Sequence, residues 1–377
     1  MKKRAISMII LMSVLAASVS CGGTSGEVKD SSDTVSDTVT SYEEVTTEDP
    51  RYAIKEDLPE VDYGGYEFRI LVRWPDLWCA DMYSESLTGE VVNDAVYNRN
   101  RKVSERFGVN FTQIKSSDND AYTDGTKAIL AGEDAYDMIL PHGQGAFHTY
   151  AYPGLLLDYN TDLPYVDLDK LWWDQDARKS FELNGRLFVM TGDISYLSLA
   201  ETECMLFNKK LFDDLGEEYP YELVKNGKWT FDEFKRLAEA GTKDLNGDGS
   251  LTPEDDLLGY IAQLTVNRSL QEGFGLSLFT DDKNGNISFT GVTEKYADAY
   301  AKMWSFFVGN PATYIYNEHE PINAMFMSGR ALFNTNFLSA TDNFRDMADD
   351  FGIVPMPKYD KAQNRYHTRI GTSTSMF

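Results

Sequence analysis

YEFRILV, residues 66–72, packs large apolar side chains into a short run and reads as a β-strand. The residues after it decide the architecture. Val91 to Phe107 places Val92, Val96, Val103 and Phe107 on one helical stripe, and Gly108 follows where a residue of positive φ ends a helix. Val109–Ile114 alternates as a second strand, Ala128-Ile129-Leu130 marks a short helix, and Tyr136–Leu140 reads as a third strand. Strands alternating with helices need crossover connections, so this segment predicts an α/β fold with a parallel sheet.

Toward the C terminus the local signals sharpen. In Trp229-Thr230-Phe231-Asp232-Glu233-Phe234, Thr230 is a helix N-cap and Glu233 closes a capping box three residues on. Trp229 against Phe234 makes a hydrophobic staple, which assigns Trp229 to structure rather than to a ligand. The helix continues through Leu237 and Ala238 into an Asp-rich loop, and Leu257–Ile261 reads as the next strand. Asp281–Phe289 contains Asn284-Gly285, a hairpin turn. Tyr296, Tyr300, Met303, Trp304 and Phe307 recur on one face of a later helix, and aromatics at that spacing are expected in the core.

Toward the N terminus the chain changes character. Lys2, Lys3 and Arg4 precede an apolar run from Ala5 to Ala17. That run is shorter than the about 20 apolar residues of a membrane span and suits the core of a secretory signal, so residues 1–20 are expected to direct export. Cys21 follows small residues and resembles the bacterial lipobox cysteine, although Ser18 stands where that pattern has leucine. Ordinary cleavage after Ser20 is the alternative. Residues 21–60 are acidic and rich in Ser and Thr with few large apolar side chains. They cannot bury enough surface to offset chain entropy and are expected to form a disordered tether.

What remains is long enough for two lobes. Losing Lys2, Lys3 and Arg4 with the leader takes the formal charge from -25 to -28, a field that repels nucleic acid. Aromatic residues make up 13% of the chain, too many for a disordered acidic protein, and imply deep burial or a stacking site. Cys79 and Cys204 are the only cysteines of the body, and a single bridge between them is neither required nor excluded.

Phe326-Met327-Ser328-Gly329-Arg330-Ala331-Leu332-Phe333, followed by Phe351-Gly352-Ile353-Val354-Pro355-Met356-Pro357, resembles the late signature of extracellular solute-binding proteins of ABC importers, the maltose-binding-like group. Trp229–Ala238, with the Asp-rich loop and Gly259-Tyr260 behind it, is similar to the same family. Glu90–Tyr97 and Leu171–Asp176 resemble a clostridial, lipid-anchored branch. The resemblance implies an α/β fold of the two-lobed, type II periplasmic-binding-protein kind, with hinge crossovers between the lobes and solute in the cleft. Mapped onto this chain, residues 61–195 plus 331–377 form lobe 1 and 196–330 form lobe 2. Relatives continue beyond the point where Thr372–Phe377 stops, so a C-terminal truncation is expected. The implied function is capture of a small solute outside the cell and its delivery to the permease subunits of an ABC transporter. The protein would be held by lipid on the outer face of the cytoplasmic membrane, without bond chemistry and without nucleic acid.

In such sheets ligands lie beyond the carboxyl ends of strands. Pro141-His142-Gly143-Gln144-Gly145 follows the third strand: the glycines let backbone amides approach a solute, and His142 and Gln144 can donate and accept. A plain glycine turn is the alternative. Sugar rings offer an apolar face and a rim of hydroxyls, so aromatic side chains beside Asp, Asn or Gln are the expected contacts for a carbohydrate. Trp172-Trp173-Asp174-Gln175-Asp176 supplies both, with one Trp expected toward solute and the other in a lobe. Trp74 and Trp78 after the first strand are similar candidates. Asp193 and Tyr196 fall near the first crossover, and Asn334 and Asn336 near the return crossover.

Asp244, Asn246 and Asp248 alternate as in a calcium loop, with Gly249 at the sharp turn, the Ser250 carbonyl next and Asp255 closing the twelve. Structural Ca2+ is the expected occupant and a bare solvated loop the alternative. Two other functional classes compete with the importer reading. A secreted glycoside-active enzyme would need a catalytic constellation, yet no nucleophile motif appears and His142, His148, His319 and His367 lack metal-ligand spacing such as HExxH. A calcium-dependent surface adhesion protein is suggested by the anchor and the loop.

Overall fold

The computed structural model describes residues 53–54, 57–74, 79–118, 120–281, 287–317 and 319–371. The leader, Cys21, most of the tether, Trp78 and the Asn284-Gly285 turn lie outside the described residues. No helix of the described residues is long and apolar enough to cross a membrane. The chain divides into two compact units, one ending at Tyr196 and the other running from Leu197 to Thr374.

Unit 1 contains β1 (Tyr66–Val72), α1 (Val91–Phe107), β2 (Val109–Lys115), α2 (Thr123–Ala131), β3 (Met138–Leu140), α3 (Gly143–Ala146) and α4 (Gln175–Phe181). The strands form a parallel sheet in the order β2-β1-β3, as the alternation predicts. Helix α1 starts where the Glu90 carboxylate accepts from the Asn93 N–H and ends at Gly108, whose φ is 60°. Its buried stripe is Val96, Val103 and Phe107, with Arg99 and Asn100, whereas Val92 is exposed. Of these, Val103 and Phe107 join Phe68, Ile70, Val72 and Leu140 in one core.

Unit 2 begins with α5 (Leu197–Ala200), β4 (Glu203–Asn208), α6 (Lys209–Leu215), α7 (Tyr221–Lys225), α8 (Phe231–Ala240), β5 (Leu258–Gln263) and α9 (Val266–Gly273). It continues through β6 (Phe279–Asp281), β7 (Ile287–Phe289), α10 (Glu294–Phe307), β8 (Thr313–Tyr316), α11 (His319–Met327), β9 (Ala331–Phe337) and β10 (Phe351–Val354). Five strands pair in the order β10-β4-β9-β5-β8, with β5 parallel to β8 and β9, and β4 antiparallel to β9 and β10. Residues 331–377 were expected to return to lobe 1; instead β9 lies between β4 and β5 and β10 closes the edge of the same sheet. The reason is pairing: Met205↔Thr335 and Tyr260↔Phe333 place β9 at the centre of the sheet, where its backbone groups find partners on both sides.

Aromatic packing carries the core of unit 2. Trp229 sits edge-on to Phe234 at 6.1 Å, as the staple predicts, and its indole N–H donates to the Pro355 carbonyl at 2.8 Å. Thr230 caps α8 by accepting from the Glu233 N–H at 3.4 Å, but the Glu233 carboxylate turns to Arg236 at 2.6 Å, so the reciprocal half of the capping box is absent from the bonds of the described residues. The face expected of α10 is rotated: Ala299, Met303 and Phe306 are buried, and Tyr300 and Trp304 are exposed. Aromatic spacing alone does not separate these faces, because Phe306 and Phe307 differ by one position of 100°. The β6–β7 hairpin forms as expected. Cys79 and Cys204 are buried thiols outside any disulfide, and burial pushes the Cys204 thiol up to about 12.

Candidate functional site

In unit 1 the carboxyl ends of β1, β2 and β3 lead into Arg73-Trp74, Ser116–Tyr122 and Pro141–Ala146. The middle segment is organised by Asp118, whose carboxylate accepts from the N–H groups of Asp120 and Tyr122 at 3.0 Å and of Thr123 at 2.6 Å. This turn drives Ala121 to φ 61°, a conformation rare outside glycine, and the Tyr150 hydroxyl holds it by donating to the Ala121 carbonyl. The Tyr122 hydroxyl donates to the His142 carbonyl at 2.8 Å, and the His142 N–H donates to the Asp120 carbonyl at 3.0 Å. Two loops from two strand ends are thus bonded to each other.

His142 caps α3, its Nδ1 accepting from the Gln144 N–H at 3.1 Å. An accepting Nδ1 leaves the ring proton on Nε2. Burial lowers the His142 pKa, the Arg73 guanidinium adds to this and Asp120 opposes it, so the imidazole is a neutral Nε2–H donor at neutral pH. Gln144 is exposed and Trp74 is 43% exposed. Gly145 does not serve as expected. Its N–H donates to the His142 carbonyl at 3.3 Å, and a Cβ on Gly145 would overlap the Tyr122 ring and hydroxyl. Gly145 is therefore a packing requirement behind the loop. Gly145→Ala is expected to loosen it and lower stability by about 1–3 kcal/mol, read as a shifted urea midpoint with unchanged slope.

Trp172 and Trp173 correct a second expectation. Both are core residues, 3% and 2% exposed, with Tyr159 edge-on to Trp173 at 5.9 Å. The chain here pairs with itself, Trp173 bridging to Gly192 and Asp193 N–H donating to the Trp172 carbonyl at 2.8 Å, so both rings are drawn inward instead of alternating. Asp174 is the N-cap of α4, accepting from Asp176 and Ala177. Asp193 and Tyr196 remain exposed, and Arg99 anchors the segment between them by donating to the Ile194 carbonyl at 3.3 Å. Arg99 also reaches the Asp81 carbonyl at 2.7 Å, and burial lowers its pKa to about 10 against the pull of Asp81.

In unit 2 a small recess of about 20 Å³ opens at the carboxyl ends of β5 and β9. Glu203, Gln263, Thr265, Ser269, Thr335 and Asn336 supply its polar wall, and Val266 and Phe337 its apolar one. Strand pairing explains the grouping: β4 begins where the antiparallel β9 ends, so Glu203 lies opposite Phe337, and Thr335 lies opposite Met205 on the same face. The Glu203 Oε1 meets the Arg369 guanidinium at 2.6 Å, and Thr335 shares a 2.8 Å hydrogen bond with the Tyr260 hydroxyl. Burial raises the Glu203 pKa, Arg369 opposing it.

Of the expected asparagines, Asn336 reaches this recess and Asn334 does not. Asn336 donates to Asn323 at 2.9 Å, while Asn334 is fully buried opposite Leu206 and Ile261. Glu203, Gln263, Thr265, Ser269, Thr335 and Phe337 escaped the sequence reading. The rule that ligands lie past strand ends, applied to Leu257–Ile261, points to Gln263 and Thr265; nothing local points to Glu203, which arrives through an antiparallel pairing.

The Asp244–Asp255 loop is closed by its own hydrogen bonds. Asp244 accepts from Gly247 N–H at 2.6 Å and from Gly249 N–H at 2.9 Å, and Asp248 accepts from Ser250 N–H at 2.8 Å. Asp255 is exposed, whereas the neighbouring Asp256 is buried and accepts from Leu245 and Thr252. Among the described residues no three His, Cys, Asp or Glu side chains converge as a metal cluster.

A family model described as bacterial extracellular solute-binding protein matches residues 102–376. Among solved structures, UspC of M. tuberculosis is 13% identical with a TM-score of 0.51, over 78% of this chain and 70% of that one. The GacH receptor of Streptomyces glaucescens is 16% identical with a TM-score of 0.51, over 78% and 67%. A cyclo/maltodextrin-binding protein complexed with maltotetraose is 15% identical with a TM-score of 0.51, over 80% and 70%. The chain spans about two thirds of the length of the solved structures it matches. No curated protein matches it. Identities this low speak to the fold alone, which is α/β, two-lobed and periplasmic-binding-protein-like.

Proposed function

Because this chain belongs to the bacterial extracellular solute-binding proteins, a family of exported binding proteins rather than enzymes, we propose that it captures a carbohydrate and hands it to the permease of an ABC transporter. The observation that carries this reading is the recess of unit 2. Its hydroxyls, amides and carboxylate can donate to and accept from ring hydroxyls, and Val266 and Phe337 offer an apolar wall. At about 20 Å³ it is far below the about 300–1,000 Å³ of pockets for drug-sized ligands, so it would receive a single hydroxyl at the rim of a sugar rather than a whole ring. The His142 Nε2–H, Gln144 and the exposed Trp74 ring give unit 1 a surface of similar chemistry. Solved relatives bound to maltotetraose and acarbose support the carbohydrate class. A solute touching both units favours their closed arrangement by its differential affinity, and a permease reading that arrangement would take up only loaded protein.

Thermal unfolding of the soluble body, residue 63 onward, against neutral oligosaccharides tests the proposal. Saturation at about 100 times Kd adds roughly 2.7 kcal/mol of stability and a clear rise in Tm. A panel of glucose, mannose and galactose oligomers without any shift would sink it. We extend the proposal to lipid anchoring at Cys21: Cys21→Ala is expected to release the protein into the medium, and continued membrane retention would refute the anchor.

Calcium in the Asp244–Asp255 loop is likewise proposed as a structural ion. Asp244, Asn246, Asp248, the Ser250 carbonyl and Asp255 would hold it, and a bound cation would stiffen the link between α8 and β5. The expected result is a Tm higher in millimolar Ca2+ than in chelator, abolished by Asp244→Ala. Identical unfolding in both media rejects calcium.

A further inference from the structure

One acceptor in the recess stands out. Glu203 is 5% exposed, and its Oε1 is held by Arg369, but its Oε2 is buried without a hydrogen bond of normal geometry among the described residues, the Ser269 hydroxyl lying close enough only to help lower the Glu203 pKa. Buried polar atoms nearly always have partners, and an acceptor left alone inside a site is a place kept for a donor. We propose that Glu203 is the specificity-determining residue of this recess: it accepts a solute hydroxyl at Oε2 and rejects solutes that carry a carboxylate, as uronic and sialic acid units do. This rests on the carbohydrate reading and narrows it to neutral sugars.

The charges around the recess decide the sign. Arg369 is committed to Glu203 by the 2.6 Å ion pair, and its backbone is tied to β4 because the Glu203 N–H donates to the Arg369 carbonyl at 2.9 Å. Thr368 donates its hydroxyl to the Glu203 carbonyl, so the segment carrying the guanidinium is fixed. Glu272 feels both Arg369 and Glu203, and Arg268 is exposed on α9. The acidic and basic charges balance, yet among the described residues the one charged side chain lining the recess is a carboxylate. A hydroxyl meets an acceptor there, and a second carboxylate meets a like charge.

Isothermal titration with a neutral oligomer and with its uronate counterpart tests this, using maltotriose or mannobiose against digalacturonate and triglucuronate. Wild-type protein is expected to bind a neutral sugar at least 100-fold more tightly than any acidic one. Glu203→Gln keeps an acceptor and removes the charge, so the ratio is expected to fall at least tenfold with smaller change in neutral affinity. Because Glu203→Gln leaves Arg369 without its partner, the double variant Glu203→Gln/Arg369→Gln is measured beside it, each checked for cooperative unfolding. A ratio unchanged in both variants, or tighter acidic binding by the wild type, overturns the role of Glu203 while leaving carbohydrate capture intact. Wild-type protein binding neither class overturns the carbohydrate reading and this inference with it.

Discussion

Gly259→Ala is expected to unfold the second unit. Gly259 lies on β5, buried between β8 and β9, and a Cβ there would overlap the Ala238 carbonyl of α8 and stand 2.8 Å from its Cα. The obstacle is backbone, held at that point by the Thr242 hydroxyl donating to the Ala238 carbonyl at 2.9 Å and by the Gly259 N–H donating to the Thr242 hydroxyl at 3.0 Å. A flexible side chain could swing away; a helix packed through Phe234 and Leu237 can move only by parting from the sheet. Ordinary overpacking costs about 1–3 kcal/mol, and here the loss should exceed about 4 kcal/mol, a large share of the about 5–15 kcal/mol that a domain has. Circular dichroism with urea is the measurement, and a variant unfolding within a fraction of a molar of the wild type would show that α8 can shift.

Arg369→Met is expected to be nearly as damaging, for an electrostatic reason. The Glu203 and Arg369 side chains are 6% and 17% exposed, so removing the guanidinium leaves a carboxylate inside the fold without its counter-charge. Breaking a buried pair from one side costs about 3–5 kcal/mol, whereas replacing both members by neutral groups of similar volume is often mild. Glu203→Gln/Arg369→Met should therefore recover most of the loss, a non-additivity of the kind expected of contacting residues. The pH dependence has a definite sign. Burial holds the Glu203 pKa above its ordinary 4.5 in the folded protein, so the folded state favours the proton. Such a group contributes stability that is fully present below about 4.5 and lost as pH rises through the folded pKa. Without Arg369, the chief opposing influence, that pKa rises further. The deficit of Arg369→Met is thus largest at neutral pH and shrinks on acidification toward 4.5. A deficit independent of pH would assign the damage to lost packing.

Much of this molecule is legible without coordinates because its signals are local. The helix from Val91 to Phe107 with its Gly108 stop, the parallel order implied by strands alternating with helices, the Trp229–Phe234 staple and the Thr230 cap all depend on residues within a few positions of one another, and all appear in the structure. The PHGQG loop is legible for the same reason, since a turn directly after a strand end is a matter of order along the chain. Trp172 and Trp173 show where that reasoning stops: alternation assumes a free strand, and the bridge to Gly192 draws both rings into the core. The trace of β9 is another case, because which sheet a strand joins is decided by partners more than a hundred positions away in β4.

Local chemistry by itself determined the class of fold, the positions of its helix ends and the kind of residue available to a solute. Tertiary pairing alone brought Glu203, Ser269, Thr335 and Phe337 to one recess and set Arg369 against Glu203. Caps, stripes and turns act over one or two turns of chain, whereas a recess is made where strands distant in sequence end side by side, and that adjacency is written only in their hydrogen bonds.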